Sequence, residues 1–300
     1  MTTRSTTLSP ARRTFQDYLQ LTKPRIVLLL LFTTLTAMVV AAQGHNLPLQ
    51  TVLATAVGGW LAASGSGVLN QYLDRDIDGR MSRTKNRPIP AGRVSPERAL
   101  LFGLALLALS LVVLGWGDNR LTAVLAFIGM VYYIFVYTIL LKRRGALNIV
   151  IGGGAGAMPV LVGWAAATNG LSAGAFILFA IIFLWTPPHS WALAVLVNAD
   201  YKRADVPMLP VAHGEETTRI QIVLYSLQLV ILTLLPLPFQ VLGYFYFVAA
   251  ALLGAALLGR ALRLLRQATK PAARQMYKYS SAYLALLFLC MMVDQLLFRG

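Results

Sequence analysis

The chain is poor in cysteine, in charge and, among its charges, in acid. Its 300 residues include one cysteine, Cys290, placed inside the last apolar segment, which excludes an intramolecular disulfide and a CxxC metal site and leaves the redox compartment open. Only 12% of the residues are charged, about half the share of an ordinary soluble domain. Asp and Glu number 11 against 26 Lys and Arg. Also lacking is a short apolar core followed by a small-residue cleavage site: "MTTRSTTLSPARRTFQDYLQLTKPR" carries only scattered cations, so no removable leader is expected and the first apolar segment should remain as a membrane helix. What fills the chain instead is hydrophobic residues, 57% of the total, a membrane-protein composition.

Nine stretches are long enough to cross a hydrocarbon layer of about 30 Å as helices: 25–43, 51–73, 97–117, 120–141, 146–168, 171–197, 217–239, 243–262 and 278–298. Backbone polar groups in lipid must be satisfied within the segment, which favours helices over strands. The expected fold is therefore an all-α polytopic membrane protein, one nine-helix bundle over residues 1–300 preceded by an inner N-terminal segment, 1–22. With the N-terminus inside, 24 of the 26 cations, from Arg4 to Lys278, fall on the inner side and only Arg120 and Arg299 lie outside, an asymmetry that points to N-in, C-out topology. These cations are spread over five inner segments, so the expected partner is the bilayer with its anionic headgroups and not nucleic acid. The two longest connections, 74–96 and 198–216, are also inner and hold most of the acid. Chemistry is expected at the cytoplasmic face.

"NQYLDRDIDGRMSRTKNRPIPAG", Asn70 to Gly92, gathers acid and then base. If the second helix continues past Leu69, Asn70, Asp74 and Asp78 recur at i, i+4 and i+8 and share one face. Oxygen ligands on one stripe suit a hard divalent cation such as Mg²⁺, which takes few protein ligands and completes its shell with water and phosphate. Gly79 offers a helix end, and Arg80, Arg83, Lys85 and Arg87 follow within reach of a bound anion. The same stripe also reads as a solvated helix end with Asp74 and Asp78 paired to Arg75 and Arg83. A second acidic loop, "NADYKRADVPMLPVAHG", puts Asp200 and Asp205 on the same side, so two sites would face one diphosphate.

"NQYLDRDID", "RTKNRPIPAG" and "DYKRADVPMLPV", set in nine spans, resemble the UbiA-type intramembrane prenyltransferases, and "LWTPPHSWALA", Leu184 to Ala194, resembles their haem-farnesylating branch. The likeness runs from "LTKPRI" to "MMVD". It implies farnesyl diphosphate and haem B as substrates, Mg²⁺ as cofactor, and handover of product to haem A synthase or terminal-oxidase assembly. It further implies that Asn70, Asp74 and Asp78 form the first Mg²⁺-diphosphate motif and Asp200 the second, with Arg83, Lys85 and Arg87 clamping the diphosphate. The family often has DxxxD at the second site; here Asp205 is five residues beyond Asp200, too far round a helix to share its face, so Asp200 is the ligand expected. Lys142 and Lys202 are further diphosphate candidates, although positive-inside topology also accounts for Lys142. His189 follows Pro187 and Pro188, which should break or kink the sixth span; it either packs through a hydrogen bond or acts catalytically on the acceptor. Lys23-Pro24 reads as a helix start, and "GGGAGAMP", Gly152 to Pro159, as close helix packing within a span.

Other readings are open on the residues alone. An aromatic quinone precursor would need the same diphosphate machinery as haem. A CDP-alcohol phosphotransferase would need aspartates where Arg75, Pro96 and Leu100 stand. A transporter would place its polar groups near the midplane, not at one membrane edge.

Overall fold

The computed structural model describes residues 10–298; Arg4 and Arg299 lie outside the described residues. Among them the secondary structure is helical throughout: α1 (Pro10–Leu21), α2 (Pro24–Ala42), α3 (Leu49–Leu73), α4 (Arg75–Arg80), α5 (Pro96–Gly117), α6 (Arg120–Val131) continuing as a π-helix (Tyr132–Leu141), α7 (Asn148–Thr168), α8 (Ala173–Leu196), α9 (Asn198–Arg203), α10 (Leu209–Ala212), α11 (Gly214–Leu234), α12 (Tyr244–Gln267) and α13 (Lys270–Phe298). Nine of these, with α6 and the π-helix counted together, are long and apolar enough to span a membrane.

Their ends follow local chemistry. Pro24 and Pro96 open α2 and α5 at positions where a missing N–H costs nothing. Asn119 caps α6 by accepting from the Thr122 N–H at 2.9 Å. Ala268, at φ 52°, ends α12, and Thr269 begins the next turn by accepting from the Ala272 N–H. The expected inner loop between 262 and 278 is therefore absent: α12 and α13 run on through Arg263, Arg266, Lys270 and Arg274, and only Ala268 and Thr269 join them. The apolar run stops at these cations, but the backbone ladder does not. The seventh span starts at Gly214 and ends at Leu234, not at 239, because Pro236 and Pro238 cannot continue the ladder. Nor do Pro187 and Pro188 break α8, which is continuous from Ala173 to Leu196; helix packing and Thr186, whose hydroxyl donates to the Ile182 carbonyl at 2.9 Å, support the turn they weaken.

Alternation of the spans brings the C-terminal ends of α3, the π-helix, α8 and α12 to one end of the bundle, with the N-terminal ends of α2 and α13. Small residues set the inter-helix spacing. A Cβ on Gly163 of α7 would lie 2.1 Å from the Thr34 carbonyl oxygen of α2, so these helices cross almost backbone to backbone. Between α2, α3, α6 and α7 remains a cavity of about 240 Å³, lined mostly by apolar side chains, with Lys23 in its wall.

Candidate active site

Asn70, Asp74 and Asp78 are 4%, 0% and 3% exposed. Although α3 ends at Leu73, the Asp74 N–H donates to the Asn70 carbonyl at 2.9 Å and the Asp78 N–H to the Asp74 carbonyl at 2.8 Å, so the one-face stripe survives the junction with α4. Gly79 does not end α4, which extends to Arg80.

Each member of the stripe is met from elsewhere in the fold. Lys23 Nζ donates to Asn70 Oδ1 at 2.8 Å. Asn70 Nδ2 donates to Asp74 Oδ2 at 2.7 Å and to Thr138 Oγ1 at 3.2 Å. Lys142 Nζ pairs with Asp74 Oδ2, and Arg87 Nη1 with Asp78 Oδ2 at 2.6 Å. The pairing with Arg75 and Arg83 that a solvated helix end requires is not formed; Arg75 donates to the Tyr72 carbonyl at 2.6 Å. Asp74 Oδ1 is buried and accepts no hydrogen bond. An open acceptor on a wholly buried carboxylate is costly unless something binds it.

The second acidic loop meets the first. Ser82 Oγ donates to Asp200 Oδ1 at 2.9 Å, and Arg203 Nη1 reaches Ser82 Oγ at 3.0 Å and Asp200 Oδ1 at 3.2 Å. Burial pushes the Asp200 carboxyl up, but hydrogen bonds from the Ser82 side chain and the backbone of Ser82 and Arg83, with the Arg203 charge, hold it below its ordinary value. Asp205 is 84% exposed and reaches only Arg80, at 3.5 Å. Beside the stripe, Arg143 binds Asp76 through two nitrogens at 2.9 and 2.7 Å, and these bonds lower the Asp76 carboxyl.

Of the cations expected at the diphosphate, Arg87 and Lys142 contact the stripe. Arg83, Lys85 and Lys202 are exposed; Arg83 lies beside Tyr201, whose phenol burial raises and Arg83 lowers. His189 is not in the cavity wall. Its ring stacks on Trp185 and Tyr277, with centroids 4.3 and 4.8 Å away, and its Nδ1 is 2.8 Å from Ser280 Oγ, contacts that set it between α8 and α13. "GGGAGAMP" divides: a Cβ on Gly152 would strike Tyr137, whereas Gly156 borders the cavity and meets nothing within 4 Å.

Among the described residues no three His, Cys, Asp or Glu side chains converge. A metal here would take the stripe's few oxygens and draw the rest of its shell from water and substrate, as Mg²⁺ does. Buried oxygen donors, an unfilled carboxylate oxygen and exchangeable cations fit that ion.

The sequence profile of the UbiA prenyltransferase family matches residues 30–287. The chain belongs to the UbiA prenyltransferase family. Relatives called protoheme IX farnesyltransferase include one from Gloeobacter violaceus, 50% identical over 281 residues, covering 93% of this chain and 92% of that protein. Those of a Roseiflexus species and of Thermus thermophilus are each 51% identical over 94% of this chain. The chain spans about half the length of these two, 53% and 46%. Two solved structures share the fold: a digeranylgeranylglyceryl phosphate synthase, TM-score 0.78 at 19% identity over 94% of this chain and 99% of that one, and a UbiA homologue from Archaeoglobus fulgidus bound to DMAPP and Mg²⁺, TM-score 0.65 at 18% identity over 92% and 99%.

In this UbiA-family chain a further cation contacts the stripe, Lys23, which the sequence left open between a helix start and a place beside Arg83, Lys85 and Arg87. It sits between α1 and α2 at φ 54°, a conformation few L residues adopt, and so turns its ammonium onto Asn70. Burial, then the charges of Arg87 and Lys142, push that ammonium down to about 7. A lysine beside a helix-opening proline gives no signal of this; the unusual backbone angle does.

Proposed function

We propose that this protein transfers a farnesyl group from farnesyl diphosphate to the vinyl group of haem B, with addition of water, giving hydroxyethylfarnesyl haem and diphosphate. The observation that carries the reading is the buried acidic stripe, ringed by cations, beside an apolar cavity. The name of half-identical relatives, protoheme IX farnesyltransferase, supports haem as acceptor.

In this reading Asn70, Asp74 and Asp78, with Asp200 across the loop contact, hold Mg²⁺. The metal, when bound, supplies charge neutralisation at the diphosphate. Lys23, Lys142 and Arg87 exchange their carboxylate and amide partners for diphosphate oxygens, and Arg83, Lys85 and Lys202 draw the anion in from solvent. The farnesyl tail enters the cavity past Tyr133 and Gly156, where few polar groups admit water. Cleavage of the allylic C–O bond leaves the electron pair on diphosphate, and fixed cations aimed at that developing charge supply most of the rate enhancement. The haem vinyl carbon bonds to the allylic carbon; water then adds to the resulting cation and sheds a proton. His189 shapes the α8–α13 wall and moves no proton. The active face is cytoplasmic, with the N-terminus inside and the C-terminus outside, and the lipid-soluble product passes to haem A synthase or terminal-oxidase assembly.

The test is mass spectrometry of the products formed by the purified chain with Mg²⁺, farnesyl diphosphate, haem B and a competing hydroxybenzoate. The expected product is haem heavier by one farnesyl plus water, lost on chelation. Prenylated hydroxybenzoate beside unchanged haem would replace the acceptor, and an undiminished yield in chelator would end the metal assignment.

A further inference from the structure

A second cluster of cations stands apart from the stripe. Arg260 and Arg263 of α12 and Lys278 of α13 line a cleft of about 730 Å³, together with Gln275 and Tyr279. Positive-inside topology accounts for cations at this end of the bundle, but not for their convergence. Arg260 is held in place: its guanidinium lies 3.7 Å above the Tyr279 ring, and its Nη1 donates to the Ala256 carbonyl at 2.8 Å. Tyr279 is fixed in turn by donating to the Leu253 carbonyl at 3.0 Å. The only ion pairs among the described residues involve other cations, so none of these three has a carboxylate partner. At the stripe, by contrast, Arg87 and Lys142 are both paired.

Direction and depth narrow the ligand. Buried positions on α12 and α13 include Leu257, Ala261, Leu264, Met276 and Ser280, and the cleft residues of α12 are offset from its buried ones by about 100° of helix. Leu252 of α12 and Leu286 of α13, farther from the α12–α13 turn than the cleft residues, are 69% and 43% exposed and offer apolar surface for acyl chains. α13 has 29 residues, roughly 43 Å at 1.5 Å per residue, whereas the hydrocarbon layer is about 30 Å. The excess falls at the Lys270 end, where the polar residues are, which brings Lys278 to the hydrocarbon boundary. Three cations without a carboxylate partner, Arg263 meeting only the amide oxygens of Gln267 and Gln275, at that depth and beside exposed leucines, match a phosphodiester headgroup and its acyl chains.

We propose that the α12–α13 cleft binds the phosphate of an anionic membrane phospholipid. The proposal does not depend on which acceptor the enzyme uses.

Native mass spectrometry of the purified protein titrated with phosphatidylglycerol or phosphatidylcholine tests it. Each surface cation is worth about fivefold in affinity for an anionic lipid, so R260Q/R263Q/K278Q should lower phosphatidylglycerol affinity about a hundredfold and leave phosphatidylcholine unchanged. R263Q/K278Q, which keeps Arg260 on Tyr279, should lower it about twenty-fivefold and decides the matter if the triple variant does not fold. R266Q/K270Q/R274Q, which removes three cations of the same helices outside the cleft, should retain most of the affinity. Equal losses in this control and the triple variant would reduce the effect to general surface charge and overturn the proposal. So would displacement of the lipid by inorganic phosphate or by haem B at equal concentration, which would assign the cleft to a free anion or to the porphyrin carboxylates.

Discussion

At one end of the bundle Asp74 and Asp78 are buried against Lys142 and Arg87, with one Asp74 oxygen left open. At the other end Asp294, equally buried, accepts the N–H groups of Gly243 and Tyr246 at 2.6 and 3.0 Å, and Asp118 accepts the Thr55 hydroxyl at 2.8 Å. Burial raises the Asp118 carboxyl, and its hydroxyl and amide donors offset that only in part. Asp294 and Asp118 accept from neutral donors, backbone N–H groups and a hydroxyl. Asp74 and Asp78 are balanced by the long side chains of Lys142 and Arg87, which in the proposed reaction turn to the diphosphate. Burial alone therefore does not mark a functional carboxylate; the kind of partner does.

The sharpest way to break this contrast is a matched pair of substitutions. Asp74→Asn should lower kcat/KM for farnesyl diphosphate about a thousandfold with little loss of Tm. Asp294→Asn should leave the specific activity of the folded protein within about threefold, yet destabilise it by about 2–3 kcal/mol as charge-assisted bonds to two N–H groups weaken. Equal activity losses would remove the distinction. A smaller effect is expected from Lys142→Met, which strands Asp74 without its cation: kcat/KM should fall about a hundredfold, and Mg²⁺ should raise the Tm of the variant more than that of the wild type. Smallest is Ser82→Ala. It removes the side-chain bond among those that join the two acidic loops, worth about 1 kcal/mol, and should raise the Mg²⁺ concentration for half-maximal activity about fivefold; no change would mean that the Ser82 hydroxyl does not position Asp200.

The nine spans were legible because lipid demands long apolar helices, and the stripe because its residues recur every four positions in one segment. What joins them was not. Lys23 reaches Asn70 across 47 positions and Lys142 reaches Asp74 across 68, and both had adequate local explanations, a helix start and a basic inner loop. Arg87 stood out only because it follows the stripe directly. His189 was legible as a lone membrane histidine, but its stacking with Trp185 and Tyr277 was not. The ends of α12 and α13 were misplaced because hydropathy follows side chains, whereas helices end where the backbone turns, at Ala268.

The π-helical segment carries a consequence for how the fourth span divides its labour. Its i to i−5 bonding, seen where the Lys142 N–H donates to the Tyr137 carbonyl at 2.9 Å, brings residues five apart onto one side, where an α-helix would carry them past it. Tyr133 in the cavity wall, Thr138 at Asn70 and Lys142 at Asp74 thus share a face. Both halves of the span pack on α7, through Gly129 in the first and Tyr132 and Tyr137 in the second, while the second half also serves the stripe. Losing one residue between Tyr133 and Thr138 would leave them four apart, the α-helical spacing for one face, so the segment would return to i to i−4 bonding with Lys142 still on the side of Asp74.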